Sequence, residues 1–495
     1  MPLDLVLDIR WRICREFDLS RRDLCQLACT SRAWNRVAIP CIWEELRSMT
    51  PLFRLLPEDA YYEDEHTHDI VRGRLIALAS EQCLKRSLTH EDWAHILERS
   101  SMVKRLDYVT GFIPGESWTE SPRIVSRCPT SCTLFPRLRH LLLDPSGSFE
   151  DPSTAPCALI THSLSPCLET LHLPHNYTYL VRDICALASM CPCVHNLLLW
   201  TKHVPSRTQR SQLGQAIANW ADLRQVVLGV YWDFSIILRL STKRNLTSLS
   251  LAFHDFRPQD VIDGIPNLPS MCFPALEHLT LAGMTMMAVA SLMSHGSLTR
   301  RLRTLHVSAL PHESLPGELG RLTHFIGNHC AHDTLTSVFI ERGEMRCGNV
   351  LTKEDLAPLC SFPRLTQLSL RLSRRCNLDD ADYEDVTSRW PELETFEIRG
   401  LDVHDTEEGG EETLATMATL GHFARSCTKL KHLTLPLVLR EIPMIEEDLL
   451  GTAHPLEKLE IEGSPRLASL YQIAMFLVQI FPALPSVSFD GSIAG

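Results

Sequence analysis

The string HEDWAH, from His90 to His95, sets two histidines five positions apart beside Glu91 and Asp92. A zinc-protease helix presents its histidines four apart on one face, with a glutamate between them as base. Spacing of five turns the two rings to different faces, so one metal ion cannot take both. His324, His329, Cys330 and His332 are the densest group of potential metal ligands. Their spacing matches no standard site, and solvated histidines at a helix end are the expectation. The run DDADYED from Asp379 lacks the glycine and the closing glutamate of a calcium loop. Cys191-Pro192-Cys193 has no second pair, and the chain contains no nucleophile elbow, P-loop or dinucleotide fingerprint. No catalytic residue, metal or cofactor is therefore expected, and an enzyme with a metal at His324–His332 is the least favoured reading. Binding is the expected activity.

Composition narrows what can be bound. The 495 residues are 44% hydrophobic and 22% charged, which places the chain among folded proteins. A net charge of -12 argues against a binder of nucleic-acid backbones. The acidity is local: residues 376–462 hold 21 acidic and 7 basic side chains, either a solvated flank or a surface for a basic partner. Eighteen cysteines without paired spacing read as buried thiols of a reducing compartment. No run approaches the ~18 apolar residues of a membrane span, and no apolar stretch follows a basic start as in a signal peptide. No membrane association and a cytoplasmic and/or nuclear location are expected. Asn176-Tyr177-Thr178 and Asn245-Leu246-Thr247 then match the glycosylation triplet by chance.

Whatever the chain binds must be positioned by a repeated element. The hexamers LRHLLL (from Leu138), LETLHL (Leu168), LTSLSL (Leu246), LEHLTL (Leu276) and LRTLHV (Leu302) share the pattern L-x-x-L-x-L. So do LTQLSL (Leu365), LETFEI (Leu393), LKHLTL (Leu430) and LEKLEI (Leu456). Weaker copies begin at Val194, Leu223, Leu335 and Leu484, with a possible opening copy at Val103. From Leu138 to Leu484 the mean period is about 29 residues. Alternation with period two at the end of each hexamer predicts a strand, and proline often precedes it, as suits the start of a strand. Between hexamers, stretches such as SQLGQAIANWADL, MMAVASLMSHGSL, ELGRLTHFIGNHC and LATMATLGHFARSC have helical spacing of apolar residues. The competing reading, an all-helical array, is disfavoured by the Ser, Thr and His at the middle variable position of the hexamer. The pattern resembles leucine-rich repeats over about 390 residues. The asparagine that usually follows the hexamer occurs only once, as Asn176, so repeats of irregular length are expected.

The segment ahead of the repeats is MPLDLVLDIRWRICREFDLSRRDLCQLACTSRAWNRVAIPCIWEEL. It predicts an apolar helix through Leu5, Val6, Ile9 and Ile13. A second helix follows, capped by Ser20, and the apolar face continues through Leu24, Leu27, Ala28 and Trp34. Its large side chains exceed what three short helices can hide, so some must face a partner or the first repeats. Pro2-Leu3, Asp23-Leu24 with Leu27, Cys29 with Trp34, and Pro40 with Trp43 and Leu46 resemble an F-box. Its pairing with leucine-rich repeats resembles fungal F-box proteins. The resemblance implies a Skp-type adaptor and cullin complex as partner, with Pro2, Leu3, Leu5, Leu24, Leu27, Cys29, Trp34 and Trp43 on the adaptor side. It also implies a substrate receptor of a ubiquitin ligase. The alternative is an interaction scaffold whose F-box-like segment only caps the repeats.

The expected architecture is α/β. An F-box-like three-helix module spans residues 1–48, a helical connector containing TPLFRLLPEDA spans 49–102, and an irregular leucine-rich solenoid spans 103–495. In such a solenoid the third and fifth hexamer positions line the concave face. Among them His140, Leu142, His172, Leu198, Val227, His278, His306 and Phe339 are the candidate contacts with a protein target. Charge at these positions is nearly absent before Glu397. The histidines, with His432, would let that face gain positive charge as pH falls. HDTEEGGEET, residues 404–413, reads as an acidic loop, and residues 111–132 with Trp118 as a second loop.

Overall fold

A computed structural model of the chain describes residues 2–60, 70–71, 74–75, 84–110, 124–125, 127–129, 133–145, 162–173, 184–200, 207–229, 234–253, 264, 272–294, 301–309, 317–342, 350–372, 375–399, 415–439, 442–444, 454–462 and 470–490. Both candidate loops, 404–413 and the part of 111–132 that holds Trp118, lie outside them, as does Asn176. The chain divides into unit 1, Met1–Val230, and unit 2, Tyr231–Gly495.

Unit 1 opens with three helices, α1 (Pro2–Glu16), α2 (Arg21–Thr30) and α3 (Arg32–Glu44). Ser20 caps α2 as expected. Its Oγ accepts from the Asp23 amide at 3.2 Å, and Asp23 accepts in return from the Ser20 amide at 3.0 Å. Ser31 caps α3 through the Trp34 amide. Cys14, Leu24, Ala28, Val37, Ala38 and Ile42 form the core of the three helices, with Trp11, Leu27, Trp34 and Trp43 packed against it. The chain leaves α3 directly into strand β1 (Glu45–Leu46), which pairs in parallel with β4 (Arg105–Thr110). Between them lie a two-residue antiparallel pair, β2 (Ile70–Val71) and β3 (Arg74–Leu75), and a helix, His90–Ser100. Of the connector segment TPLFRLLPEDA, Leu52, Phe53, Leu56 and Ala60 are buried.

From β4 the strands of unit 1 follow the repeat: β5 (His140–Pro145), β6 (Thr170–Leu173), β7 (Asn196–Trp200) and β8 (Gln225–Gly229). They lie side by side in chain order and every pairing is parallel. Unit 2 continues in the same manner with β9 (Ser248–Ala252), β10 (His278–Met284), β11 (Thr304–Ala309) and β12 (Ser337–Arg342). A small parallel pair, β13 (Val350–Leu351) with β15 (Arg375–Cys376), stands aside from the main order. The main order resumes with β14 (Gln367–Arg371), β16 (Thr395–Arg399), β17 (His432–Pro436), β18 (Lys458–Glu462) and β19 (Val487–Asp490). Every hexamer yields a strand, including the weak copies and the opening one at Val103. Each strand begins at the third hexamer position, except β19, which begins at the fourth. Three of the stretches read as helical contain Met286–Met293, Glu318–His329 and Ala418–Ser426, and the fourth overlaps Arg207–Asn219, which starts four residues ahead of it. This is the strand-plus-helix construction of a leucine-rich repeat, and the all-helical alternative is excluded.

The prolines serve a different purpose from the one expected. In FPRL the Leu138 amide donates to the Phe135 carbonyl, closing a turn in which Pro136 is the second residue. The same bond joins Leu276 to Phe273, Leu365 to Phe362, Leu393 to Trp390 and Leu484 to Phe481. Proline's fixed φ suits the second position of such a turn, and the strand starts only after it. The residue that opens the turn is buried each time: Phe135, Cys191, Phe273, Phe362, Trp390, Cys427 and Phe481. These seven repeats thus each contribute one further core residue, three positions ahead of the hexamer.

Candidate functional site

Within each strand the fourth and sixth hexamer positions enter the core, as Leu141 and Leu143 or Leu279 and Leu281 do. The third and fifth therefore face the opposite side of the sheet, because successive side chains alternate. All eight candidate target contacts occupy that open face, half-buried or exposed.

In unit 1 the register brings four of them into one line. Leu142 is opposite His172, His172 opposite Leu198, and Leu198 opposite Val227. At about 4.8 Å per strand this line is about 14 Å long. A polar line runs beside it, where His140 Nδ1 lies 3.1 Å from Thr170 Oγ1 and Asn196 Nδ2 donates to the same hydroxyl at 3.3 Å. Sequence reading missed Trp200, the seventh position of its repeat, which extends the apolar line. Trp200 is paired in register with Gly229, and a Cβ at Gly229 would stand 1.9 Å from the indole Cε3. The glycine therefore makes room for the ring. A lone tryptophan two residues beyond Leu198 was the available signal.

In unit 2 the fifth-position line reads Thr280, His306, Phe339, Ser369, Glu397. The His306 and Phe339 rings lie 5.8 Å apart, and His306 Nε2 is 3.6 Å from Glu341. His278 is exposed on the third-position line. The expectation that charge begins at Glu397 is corrected. The seventh position adds Glu341, Arg371, Arg399 and Glu462, so within unit 2 charge begins at β12, and in unit 1 β4 already places Arg105 and Asp107, 2.7 Å apart, at the third and fifth positions. Glu397 itself is buried at 8% exposure, although it points to the open face. It accepts from Ser369 Oγ at 2.7 Å, from Arg371 Nε at 3.0 Å, and from Arg399. Arg399 reaches on to Glu460, which also accepts from Lys458 Nζ at 2.6 Å. Burial alone would push the Glu397 carboxyl up; the hydrogen bonds from Ser369, Arg371 and Arg399 together outweigh it and hold the group below its ordinary value.

The candidate adaptor residues separate into several environments. Leu24 lies in the core of the three helices, Leu27, Trp34 and Trp43 are half-buried against it, and Cys29 is exposed. Pro2, Leu3 and Leu5 lie in α1, and their side chains fall outside the described residues. What remains uncovered is one set of apolar side chains on and just after α1: Val6, Leu7, Ile9 and Phe17, the last at 67% exposure.

The possible metal groups serve the fold. Asp92 caps its helix through Thr89 and binds Arg86 Nη1 at 2.6 Å, which holds its carboxyl well below the ordinary range. His324 contacts Asn328, His329 stacks on Phe325, and His332 Nε2 donates to the Gly327 carbonyl. Burial pushes the Cys330 thiol up to about 12. Asp379 caps the helix Asp380–Thr387, and Asp380 accepts from the Thr416 amide and hydroxyl. Among the described residues no three ligand-type side chains converge on a metal position. Of the cysteines, Cys14, Cys128, Cys191, Cys272, Cys330, Cys376 and Cys427 are buried, whereas Cys25, Cys29, Cys167 and Cys193 are exposed. No helix among the described residues is long and apolar enough to cross a membrane.

No protein-family profile matches the chain, and no curated protein matches it. A solved leucine-rich-repeat protein of Leptospira interrogans is similar to it at 13% identity. The match covers 81% of this chain and 86% of that one, with a TM-score of 0.34.

Proposed function

We propose that the chain is a non-catalytic substrate receptor of a cullin–RING ubiquitin ligase. The three N-terminal helices bind a Skp-type adaptor, and the open face of the repeats binds a protein target. The observation that carries the adaptor half is the exposed apolar set Val6, Leu7, Ile9 and Phe17, on a module with a buried core of its own. Exposed apolar side chains gathered on one element mark an interaction surface. The target half rests on Leu142, Leu198, Val227 and Trp200, an apolar line flanked by polar groups and ending at the Arg105–Asp107 pair opposite Leu142, as an apolar interface core has a polar rim. A location in the cytoplasm or nucleus, where such ligases act, belongs to this reading.

Calorimetric titration of the full chain with a Skp-type adaptor tests it. Binding is expected, and Ile9→Glu with Phe17→Glu is expected to abolish it. Deleting residues 1–46 is a poorer test, because it also removes β1 from the edge of β4. Absence of binding by the unaltered chain sinks the receptor reading.

The scaffold alternative has its own support. The Lys104 amide donates to the Glu44 carbonyl, and Lys104 Nζ binds the Glu44 carboxylate at 2.7 Å. With the β1–β4 pairing, these bonds fasten the helices to the first repeat strand, as a cap requires.

A further inference from the structure

We propose that the helix Leu470–Ile480 and the strand β19 form a contact with a second copy of this chain, related by a two-fold axis. Three observations within unit 2 carry the proposal.

The helix has two apolar faces. Ile473, Phe476, Leu477 and Ile480 are buried. On the other side Leu470, Tyr471, Met475 and Val478 are 64%, 72%, 45% and 61% exposed. Tyr471, Met475 and Val478 stand at i, i+4 and i+7, one stripe along the helix, with the small Ala474 beside them. A helix that only covers a core needs a single stripe.

The core positions of the last repeat are left half-open. Leu456, Leu459 and Ile461 in the preceding repeat are 1%, 0% and 0% exposed. Their counterparts Leu484, Val487 and Phe489 are only half-buried. Strand β19 pairs with β18 along one edge, and among the described residues no strand takes the other. A free edge presents unpaired amides and carbonyls to any strand that can align with it.

The third observation is charge. Residues 467–489 contain no Asp, Glu, Lys or Arg, in a chain that is 22% charged and carries a net charge of -12. A two-fold axis sets each residue near its own copy, so any charge beside the axis meets its like. An acidic chain approaches itself with least repulsion through a neutral surface. The helix stripe offers no charge to a charged partner, and Asp490 stands at the far end of β19, away from it. A second copy covers both the outer stripe of the helix and the free edge of β19. Its β19 adds to this β19 in antiparallel pairing, and its helix crosses this one at Ala474, where the small side chain lets the two approach.

Sedimentation velocity of the full chain over a concentration series tests the proposal. The expected result is a reversible dimer, weakened at least about tenfold by Met475→Glu and equally by Met475→Lys. Both substitutions are at an exposed position, and unchanged circular dichroism verifies the fold. Mixing the two variants is expected to restore the dimer, because opposite charges then meet across the axis. A chain that is monomeric at every concentration overturns the proposal, as does a dimer that survives either substitution, or a mixture that stays monomeric. A monomer that binds phosphatidylcholine vesicles through Met475 overturns it in favour of a lipid surface.

Discussion

The indole Nε1 of Trp390 donates to the carbonyl of Leu359 at 3.1 Å, across 31 positions of sequence and from one repeat to the one before it. Trp220 does the same to Cys191 in unit 1, at 2.9 Å. Both tryptophans stand three positions ahead of a hexamer, where six other repeats have a buried Phe or Cys. Trp390 also meets Phe396, which packs on Phe423 and Tyr383. One side chain therefore fills the core of its own repeat and satisfies a buried carbonyl of its neighbour.

Trp390→Ala is expected to destabilise unit 2 by about 3–5 kcal/mol, the range for deleting a fully buried large aromatic. Trp390→Phe retains much of the ring volume and loses the bond, at about 1–3 kcal/mol. Denaturant unfolding followed by circular dichroism measures both. Equal losses would show that the carbonyl bond, rather than ring packing, dominates.

Glu397→Gln removes the charge that Arg371 and Arg399 share. A loss of about 1–3 kcal/mol is expected, because the carboxylate is buried and multiply hydrogen-bonded. Lys431→Ala breaks an exposed pair with Glu394, 2.8 Å apart, and is expected to leave stability almost unchanged. Thermal melts of the two variants check the contrast, which fails if the exposed pair proves the costlier.

His454 carries a pH dependence of definite sign. Its Nε2–H donates to the Cys427 carbonyl at 3.0 Å, and Nδ1 has no hydrogen-bond partner among the described residues. Burial lowers its pKa below the ordinary value, so the neutral ring is the folded form. Stability from this residue is complete above the unfolded value of about 6.5 and is lost as pH falls below it. The unfolding midpoint is expected to fall between about pH 7 and 5, and His454→Gln is expected to flatten that decline. Glu397 and Asp92 have lowered values and act at lower pH. Their contributions are present above the ordinary carboxylate range near 4 and diminish as pH falls further. A midpoint unchanged down to pH 5 would refute the role given to His454.

Gly229→Ala would drive a methyl group into the Trp200 indole. The ring must rotate away, at a cost of about 1–3 kcal/mol if neighbouring atoms resist. A fluorescence difference between Gly229→Ala and the unaltered chain, absent in a Trp200→Phe background, is the expected readout. Identical spectra would mean that the ring does not lie over the glycine.

The strand pattern was legible because period two and a buried L-x-x-L-x-L leave little freedom. A one-residue slip would turn Leu141 and Leu143 outward. Weak copies such as the one at Val103 were recoverable for the same reason. The turn ahead of each strand was half-legible: proline was visible, but its task depends on a bond between Phe135 and Leu138 that spacing alone does not reveal. On the open face, reading stopped at the fifth position because the hexamer stops at the sixth. The chain continues the alternation to a seventh, and so Trp200, Arg371 and Arg399 were missed. The burial of Glu397 was not legible at all. It results from arginines on its own and the adjacent strand, and a hexamer shows no register between strands.

The turns also govern where the chain can change length. Residues 253–277 separate β9 from β10, and residues 400–431 separate β16 from β17. Yet Ser248 aligns with His278, and Thr395 with His432, both third position to third position. Whatever precedes it, a buried residue followed by its i to i+3 bond restarts the count. Insertions and deletions among related chains should therefore collect between the end of a strand and the next buried turn residue. The block from that residue to the strand end should keep its length. A peptide tag placed after β16 should be tolerated, whereas one extra residue between Trp390 and Leu393 should shift every strand that follows relative to those before it.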